Sequence, residues 1–476
     1  MSKLPTFLLA TLIPTALYAA DSLITIPEKP IIPAQPERNA PQLPDIPTPS
    51  PPPAHSTNHP TQDFATLEAQ LNQAINQQQH EQIPALLAQY QTHPQADPNL
   101  VLFAQAQIAR HQKHYPQAIR LLRQILANNP NLTPVRVELA VLLFREQQNT
   151  AAQQQFQAAQ ADPELPADIH ALNEQYLNAL GQRKGWHSYI SAQYLNESNV
   201  NNVSSNPRIE NTPFIKNPAM QPQKAHGIGY AAGSERDINL KNAHYAHISG
   251  YLYGKTYWDN HAYDDITARV QAGYAHKSSQ GSLKITPFYE QQWYATHRYK
   301  HAHGIRAEKN QRLTDTLQLT LAAEISKQQY RHDTELNGNS KTLSTTLYWQ
   351  INPRNYIYSG IDALWESTRQ KTYSYHLNSY RIGWEHEWNK GLSSRISLST
   401  SSRRYQANYQ LGRAIRFDRK RQDEIYTANL TIWKRDWHIK GITPKLSYQW
   451  RKQHSNFDSL FSYHKSSLNL LLEKTF

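Results

Sequence analysis

The chain contains no cysteine. That removes disulfide scaffolds, thiolate zinc sites, thiol catalysis and the acylated cysteine on which an amino-terminal lipid anchor depends. Glycine is scarce, with 16 in 476 residues. After the first twenty residues no run of 18 apolar residues occurs, which excludes a helical inner-membrane protein. It does not exclude a spanning β-barrel, whose strands alternate and never score as hydrophobic runs. Acidic residues are few and unevenly placed. Residues 186–476 carry 38 Lys and Arg against 23 Asp and Glu, a net of +15, whereas residues 1–185 carry 11 against 14. Aromatics divide at the same point: all ten tryptophans and 24 of the 28 tyrosines follow Gly185. Two different kinds of chain have been joined.

The first of these has three parts. Lys3, an apolar stretch from Leu4 to Tyr18 and the small residues Ala19 and Ala20 read as a secretory signal peptide over residues 1–20, cleaved after Ala20. Residues 22–62 hold 12 prolines in 41 positions, so residues 21–62 are expected to form an extended, disordered linker without a core. From 63 to 183 apolar residues recur at three and four, as at Leu67, Leu71, Ala74 and Ile75, which is the helical period. Within 99–164 the pattern repeats every 34 residues. Ala106, Ala109, Tyr115, Ala118, Leu122, Ile125 and Pro130 occupy the small, aromatic and proline positions of a tetratricopeptide (TPR) helix pair; Ala140, Leu143, Ala152, Phe156 and Ala159 repeat them. Small residues let paired helices approach closely, and proline stops the second helix. Arg110, Arg120, Arg123 and Arg136 are a candidate basic patch on this module, with a solvated helix face as the plainer reading.

After Gly185 the period falls to two. Ile266, Ala268, Val270, Ala272 and Tyr274 alternate with polar partners, as do Leu317, Leu319, Leu321, Ala323 and Ile325. About fourteen such segments fill residues 184–476, and Tyr274, Trp349, Trp388, Trp433 and Trp450 stand at strand ends, where a membrane barrel carries its interfacial girdles. The expected connections alternate long, as at 197–225 and 404–423, with short, as at 352–354 and 389–391. An even strand number brings both barrel ends to the periplasmic side, together with the helices. Counting back by twos from Phe476 gives Leu472, Leu470 and Leu468, a lipid-facing stripe on the last strand of the kind that barrel insertion machinery recognises. Arg413, Arg416, Arg419, Lys420 and Arg421 fall in the expected loop 404–423. There they are candidates for holding an emerging acidic segment or lipopolysaccharide phosphates, with simple solvation as the alternative.

The ending GITPKLSYQWRKQHSNFDSLFSYHKSSLNLLLEKTF (441–476), the barrel opening GWHSYISAQYLNESNVNNV (185–203) and the TPR-like helices together resemble the surface lipoprotein assembly modulator (Slam) family of Gram-negative bacteria. The resemblance implies an outer-membrane translocon, with its amino-terminal domain in the periplasm, that moves particular lipoproteins or secreted haem-capturing proteins to the cell surface. Its partners would be that cargo, periplasmic chaperones, the insertion machinery and outer-membrane lipids, around a monomeric barrel without cofactor or metal. No catalytic residue carries over. Two other readings compete: a polysaccharide export porin, which also joins periplasmic TPR helices to a barrel, and a barrel enzyme. For the latter, neither Gly-x-Ser-x-Gly nor His-Glu-x-x-His occurs. A nucleic-acid partner is set aside despite a pI near 9.4, because export and a polar lumen account for the charge better.

Overall fold

The computed structural model describes residues 62–411 and 415–476. The signal segment with Ala20, all of the proline-rich stretch but Gln62, and Arg413 lie outside these residues. Among the described residues seven helices come first: α1 (Gln62–Asn76), α2 (Ile83–Tyr90), α3 (Pro98–His111), α4 (Tyr115–Asn128), α5 (Thr133–Arg145), α6 (Asn149–Gln160) and α7 (Ala167–Arg183). They form three hairpins closed by α7. Each hairpin turns through one left-handed residue, Gln78, Lys113 and Gln147, with φ of 55°, 59° and 56°. Spaced 35 and 34 residues apart, these turns carry the repeat back to the first, degenerate pair. Ala106, Ala118, Ala140 and Ala152 are at most 2 % exposed, because neighbouring helices close directly over them. Tyr115 is buried and donates no core volume alone: its hydroxyl receives a bond from Arg145 NH1 at 3.1 Å. Pro130 is exposed just after α4, and its carbonyl accepts from Arg136. Phe156 and Tyr176 stack at 4.9 Å and fix α7 onto the last hairpin.

Three of the four candidate arginines of this module have partners, and Arg120 is exposed. Arg110 pairs with the buried Glu138 at 2.8 Å, Arg136 bonds Gln155 at 2.8 Å and Arg123 reaches Gln148 at 3.4 Å. Arg110 and Arg123 tie the second hairpin to the third, and Arg136 joins α5 to α6 within the third.

Fourteen antiparallel strands follow: β1 (His187–Glu197), β2 (Ala225–Lys241), β3 (His244–Tyr257), β4 (Asp265–Ser278), β5 (Gly281–Tyr294), β6 (His297–Arg312), β7 (Leu317–Tyr330), β8 (Gly338–Asn352), β9 (Asn355–Thr368), β10 (Tyr375–Glu387), β11 (Leu392–Leu411), β12 (Ile415–Lys434), β13 (Thr443–Ser455) and β14 (Tyr463–Thr475). Each pairs with its sequence neighbours and β14 returns to β1, closing the barrel. No helix among the described residues is long and apolar enough to cross a membrane; the strands can, because closure leaves no open sheet edge. Outward positions are apolar and exposed, among them Ile248, Val270, Ile325, Ile361 and Ile382. Trp186, Tyr274, Trp349, Trp388, Trp437 and Phe476 ring the end that holds both barrel termini, here the near end; Tyr194, Trp258, Tyr380 and Tyr426 lie toward the far end. Leu468, Leu470, Leu472 and Phe476 all point outward, 41–60 % exposed. Gly383 faces inward with the Tyr358 ring across it; a Cβ there would stand 2.2 Å from Tyr358 Cε1.

Two sequence expectations change. Residues 404–411 and 415–423 are not part of a long loop but the protruding ends of β11 and β12, so Arg416, Arg419, Lys420 and Arg421 lie on β12. This part stands beyond the far aromatic belt, in water, and so carries no apolar stripe to mark it as strand. Trp433 faces the lumen instead of the lipid, with Lys445 and Arg395 over its ring at 5.0 and 5.7 Å. Phe156→Ala is expected to cost about 3–5 kcal/mol. It would appear as a lower urea midpoint for the helical circular-dichroism transition of the full chain, with the barrel's heat-modifiable gel shift unchanged.

Candidate functional site

The inner wall is polar, and its charges are paired across strands. On β4 to β7, Arg269 meets Glu324 at 2.9 Å and Glu290 at 3.7 Å, while Arg306 meets Glu324 at 3.6 Å and Glu308 at 3.0 Å. On β8 to β10, Arg381 pairs with Asp362 at 2.8 Å and donates to Thr346, with Ser344 also on Asp362 at 2.6 Å. Arg395 and the Tyr356 hydroxyl share Glu385. On β1, Glu197 takes Lys255 at 2.6 Å and Lys465 at 2.8 Å. Buried charges persist only with partners of this kind. Many of the inward cations in the basic half are therefore neutralised locally. His301 and His303 point away from this wall, on the outward face of β6, where His301 bonds Gln329 at 2.8 Å.

Three separated segments meet at the far end and build a small apolar core of their own. Ile209 and Met220 come from the β1–β2 connection (198–224), Tyr409 and Leu411 from β11, and Phe457, Leu460 and Phe461 from the β13–β14 connection, which includes helix α8 (Asp458–Phe461). The asparagines of the barrel opening hold the first segment. Asn199 closes a turn on Val203, and Asn201 bonds Gln221 O at 2.8 Å while receiving Gln223 N at 3.0 Å. Asn202 supplies the left-handed residue at φ 55°. Ser204 N to Leu460 O, 3.1 Å, and Glu210 N to Ser459 Oγ, 3.0 Å, clasp the first segment to the third.

Two members of the basic run, Arg419 and Arg421, pack into this cap. Arg421 lies 3.4 Å over the Phe461 ring and pairs with Asp423 at 2.9 Å, and Arg419 lies 4.4 Å over Phe457 and pairs with Glu210. Arg416 and Lys420 remain exposed. Lys216 is buried in the cap, its amine donating to Ser204 O at 2.7 Å, and burial pushes its ammonium down to about 8. Sequence spacing gave no sign of this core, because its parts are some 200 residues apart.

At the near end the helices rest on one side of the rim. The α5–α6 turn and the start of α6 supply three polar contacts: Glu146 to Ser279, Gln147 O to the Tyr245 hydroxyl, and Thr150 N to Asn239 at 3.3 Å. Lys184 O accepts from Arg236 at 3.0 Å, and Lys113 reaches Asp315 at 3.2 Å. All five barrel residues lie on or beside the first three near-end turns.

A closed barrel with an apolar outer belt, a charge-paired lumen, a folded cap at one end and a helical array docked at the other defines an outer-membrane transport barrel with a TPR-type accessory domain. Residues 186–476 match the family described as surface lipoprotein assembly modifier, and residues 57–156 match that family's N-terminal TPR repeats. The chain belongs to the surface lipoprotein assembly modifier family. It is 33 % identical over 397 residues to the surface lipoprotein assembly modifier of Pasteurella multocida, covering 80 % of this chain and 77 % of that one. To surface lipoprotein assembly modifier 1 of Haemophilus influenzae it is 32 % identical, covering 85 % and 83 %. To the hemophilin secretion modulator of Acinetobacter baumannii it is 25 % identical, covering 85 % and 84 %.

Phe457→Ala, at a fully buried position, is expected to loosen the cap and to speed proteinase K cleavage within 198–224 several-fold in the purified protein. Because the Lys216 ammonium is held at about 8 in the cap against an ordinary 10.5, the released segment binds more protons between those values. Cap stability therefore rises with pH across that window. Lys216→Met removes this dependence, and cleavage rates of parent and variant compared at each pH provide the check.

Proposed function

We propose that the protein is an outer-membrane translocon that carries particular lipoproteins, or related secreted haem-binding proteins, from the periplasm to the cell surface. The observation that carries this reading is family membership across the whole barrel and the helical repeats, in a family whose relatives are named for surface lipoprotein assembly and hemophilin secretion. The helical array is the periplasmic receiver and the near-end rim its delivery point. Both chain ends of the barrel and the docked helices share that end, as they would if the short turns face the periplasm. TPR-type arrays bind protein segments, which suits a cargo that is handed over by chaperones before it enters the barrel. The cap closes the surface side, and the outward stripe Leu468, Leu470, Leu472 and Phe476 serves the insertion machinery.

Polysaccharide export is less favoured. A charged polymer needs a wall of unpaired opposite charge, whereas Arg269, Arg306, Arg381 and Arg395 are each bound to a carboxylate. Nothing in the paired wall requires bond-making chemistry.

Candidate lipoproteins and haem-binding proteins, coexpressed with and without the chain in a heterologous Gram-negative host, give the test by protease shaving of intact cells. One cargo should become protease-accessible only when the barrel is present, and no such cargo with a correctly inserted barrel would overturn the reading. Deleting residues 63–183 should leave an inserted barrel whose cargo display falls at least tenfold; unchanged display removes the receiver role from the helices.

A further inference from the structure

The join that closes the barrel differs from its neighbours. β1 pairs with β2 along its whole length, from His187↔Glu235 to Glu197↔Ala225. β14 pairs with β13 from Tyr463 to Glu473. Between β1 and β14 the ladder runs only from Tyr189↔Thr475 to Gln193↔Leu471. Reciprocal backbone bonds between Ser188 and Phe476, at 2.8 and 3.5 Å, extend it toward the near end. Carrying the same register toward the far end would set Tyr194, Leu195, Asn196 and Glu197 opposite Leu470, Asn469, Leu468 and Ser467. None of these four positions is laddered.

The sequence of β1 explains why the strands part. Leu195 is drawn into an apolar cluster with Ala225 on β2 and Tyr257 on β3, so the far end of β1 packs toward its other neighbour. Side chains take over the work of the missing backbone bonds. Lys465 on β14 holds Glu197 on β1 at 2.8 Å, and Glu197 is steadied by Lys255 at 2.6 Å and by the Tyr257 hydroxyl at 2.9 Å. The Asn469 side-chain amide lies 3.1 Å from Tyr194 O, where turning the amide over lets its nitrogen donate across the seam. Above this stretch, the cap segments that leave β1 and enter β14 are clasped by Ser204 and Leu460. Backbone groups facing lipid without partners cost several kcal/mol each, so a half-unladdered seam persists only where such substitutes exist. Side-chain latches can be released singly, whereas a ladder must be broken pair by pair.

We propose that the β1–β14 seam is a lateral gate, opening from its far half, through which a polypeptide in transit leaves the lumen sideways with an acyl anchor held toward the bilayer. The inference rests on the translocation reading above. Until release the polar chain stays against the ion-paired wall while the anchor lies in hydrocarbon, so the anchor never has to cross the polar lumen.

The absence of cysteine makes the test clean. Gln193→Cys with Leu471→Cys joins register partners at the last laddered pair. Ser191→Cys with Ala231→Cys ties β1 to β2 instead. In the shaving assay, the oxidised seam pair should lower display of the cargo at least tenfold, a reductant should restore it, and the β1–β2 pair should display like the parent. Parent-level display from the locked seam overturns the gate, and so does an equal loss in both pairs. No display from the cysteine-free parent sinks the translocation reading instead. The gate then stands on hydrogen exchange of the purified barrel in phospholipid bilayers. Amides of residues 194–197 and 467–470 should exchange at least tenfold faster than those of residues 447–450 on β13, and equal rates overturn it.

Discussion

A bilayer offers the backbone no hydrogen-bond partner, and the barrel is organised around that one constraint. It forces the strands to close on one another, gives every strand an apolar outer and a polar inner face, and makes the closing join the costliest place to leave incomplete. The β1–β14 join is where the chain departs from full pairing. There Leu195 is pulled toward Tyr257 and Ala225, and Glu197 with Lys465 stands in for backbone bonds. A protein selected only for stability would extend that ladder by four pairs. A protein that must release something sideways has a reason not to.

The same constraint shapes the lumen. Once the outward positions are given to lipid, the remaining charged residues must face inward, and in the confined wall they persist by pairing. Arg269 with Glu324 and Arg381 with Asp362 turn a strongly basic sequence into a locally balanced surface. A balanced polar wall resists adhesion of any one charge pattern, which is what passage of a protein chain of mixed charge requires. The two ends are treated differently. The near end takes a small, largely polar contact with the α5–α6 turn, of a kind that permits the helices to shift, whereas the far end carries a true apolar core built from Met220, Tyr409 and Phe457.

Much of the fold was legible in the sequence, because it depends on local periodicity. Alternation at Ile266–Tyr274 and Leu317–Ile325 marks strands wherever one face meets lipid. The 34-residue recurrence of Ala106 with Ala140 and Ala118 with Ala152 marks hairpins wherever helices must touch. The signal failed where the medium changes along a strand. Residues 415–421 of β12 leave the bilayer, lose their apolar face and so read as loop, although they remain paired with β11. Trp433 was misassigned for a related reason: a large aromatic at a strand end suits either a lipid girdle or a cation in the lumen, and only the register with Lys445 decides which.

By itself, then, the sequence determined the joining of a helical array to a barrel, the strand number and the family, since each follows from residues close together in the chain or from patterns repeated along it. Tertiary structure alone decided that Arg419 and Arg421 of β12 pack into a cap, that Asn199 and Asn201 shape its first segment, that the helices sit on one side of the rim, and that the seam is half unladdered. Each of these depends on which of two possible neighbours a side chain meets, often from residues 200 or more positions away. Spacing along a chain carries no information about that choice; only the closed geometry of the barrel supplies it.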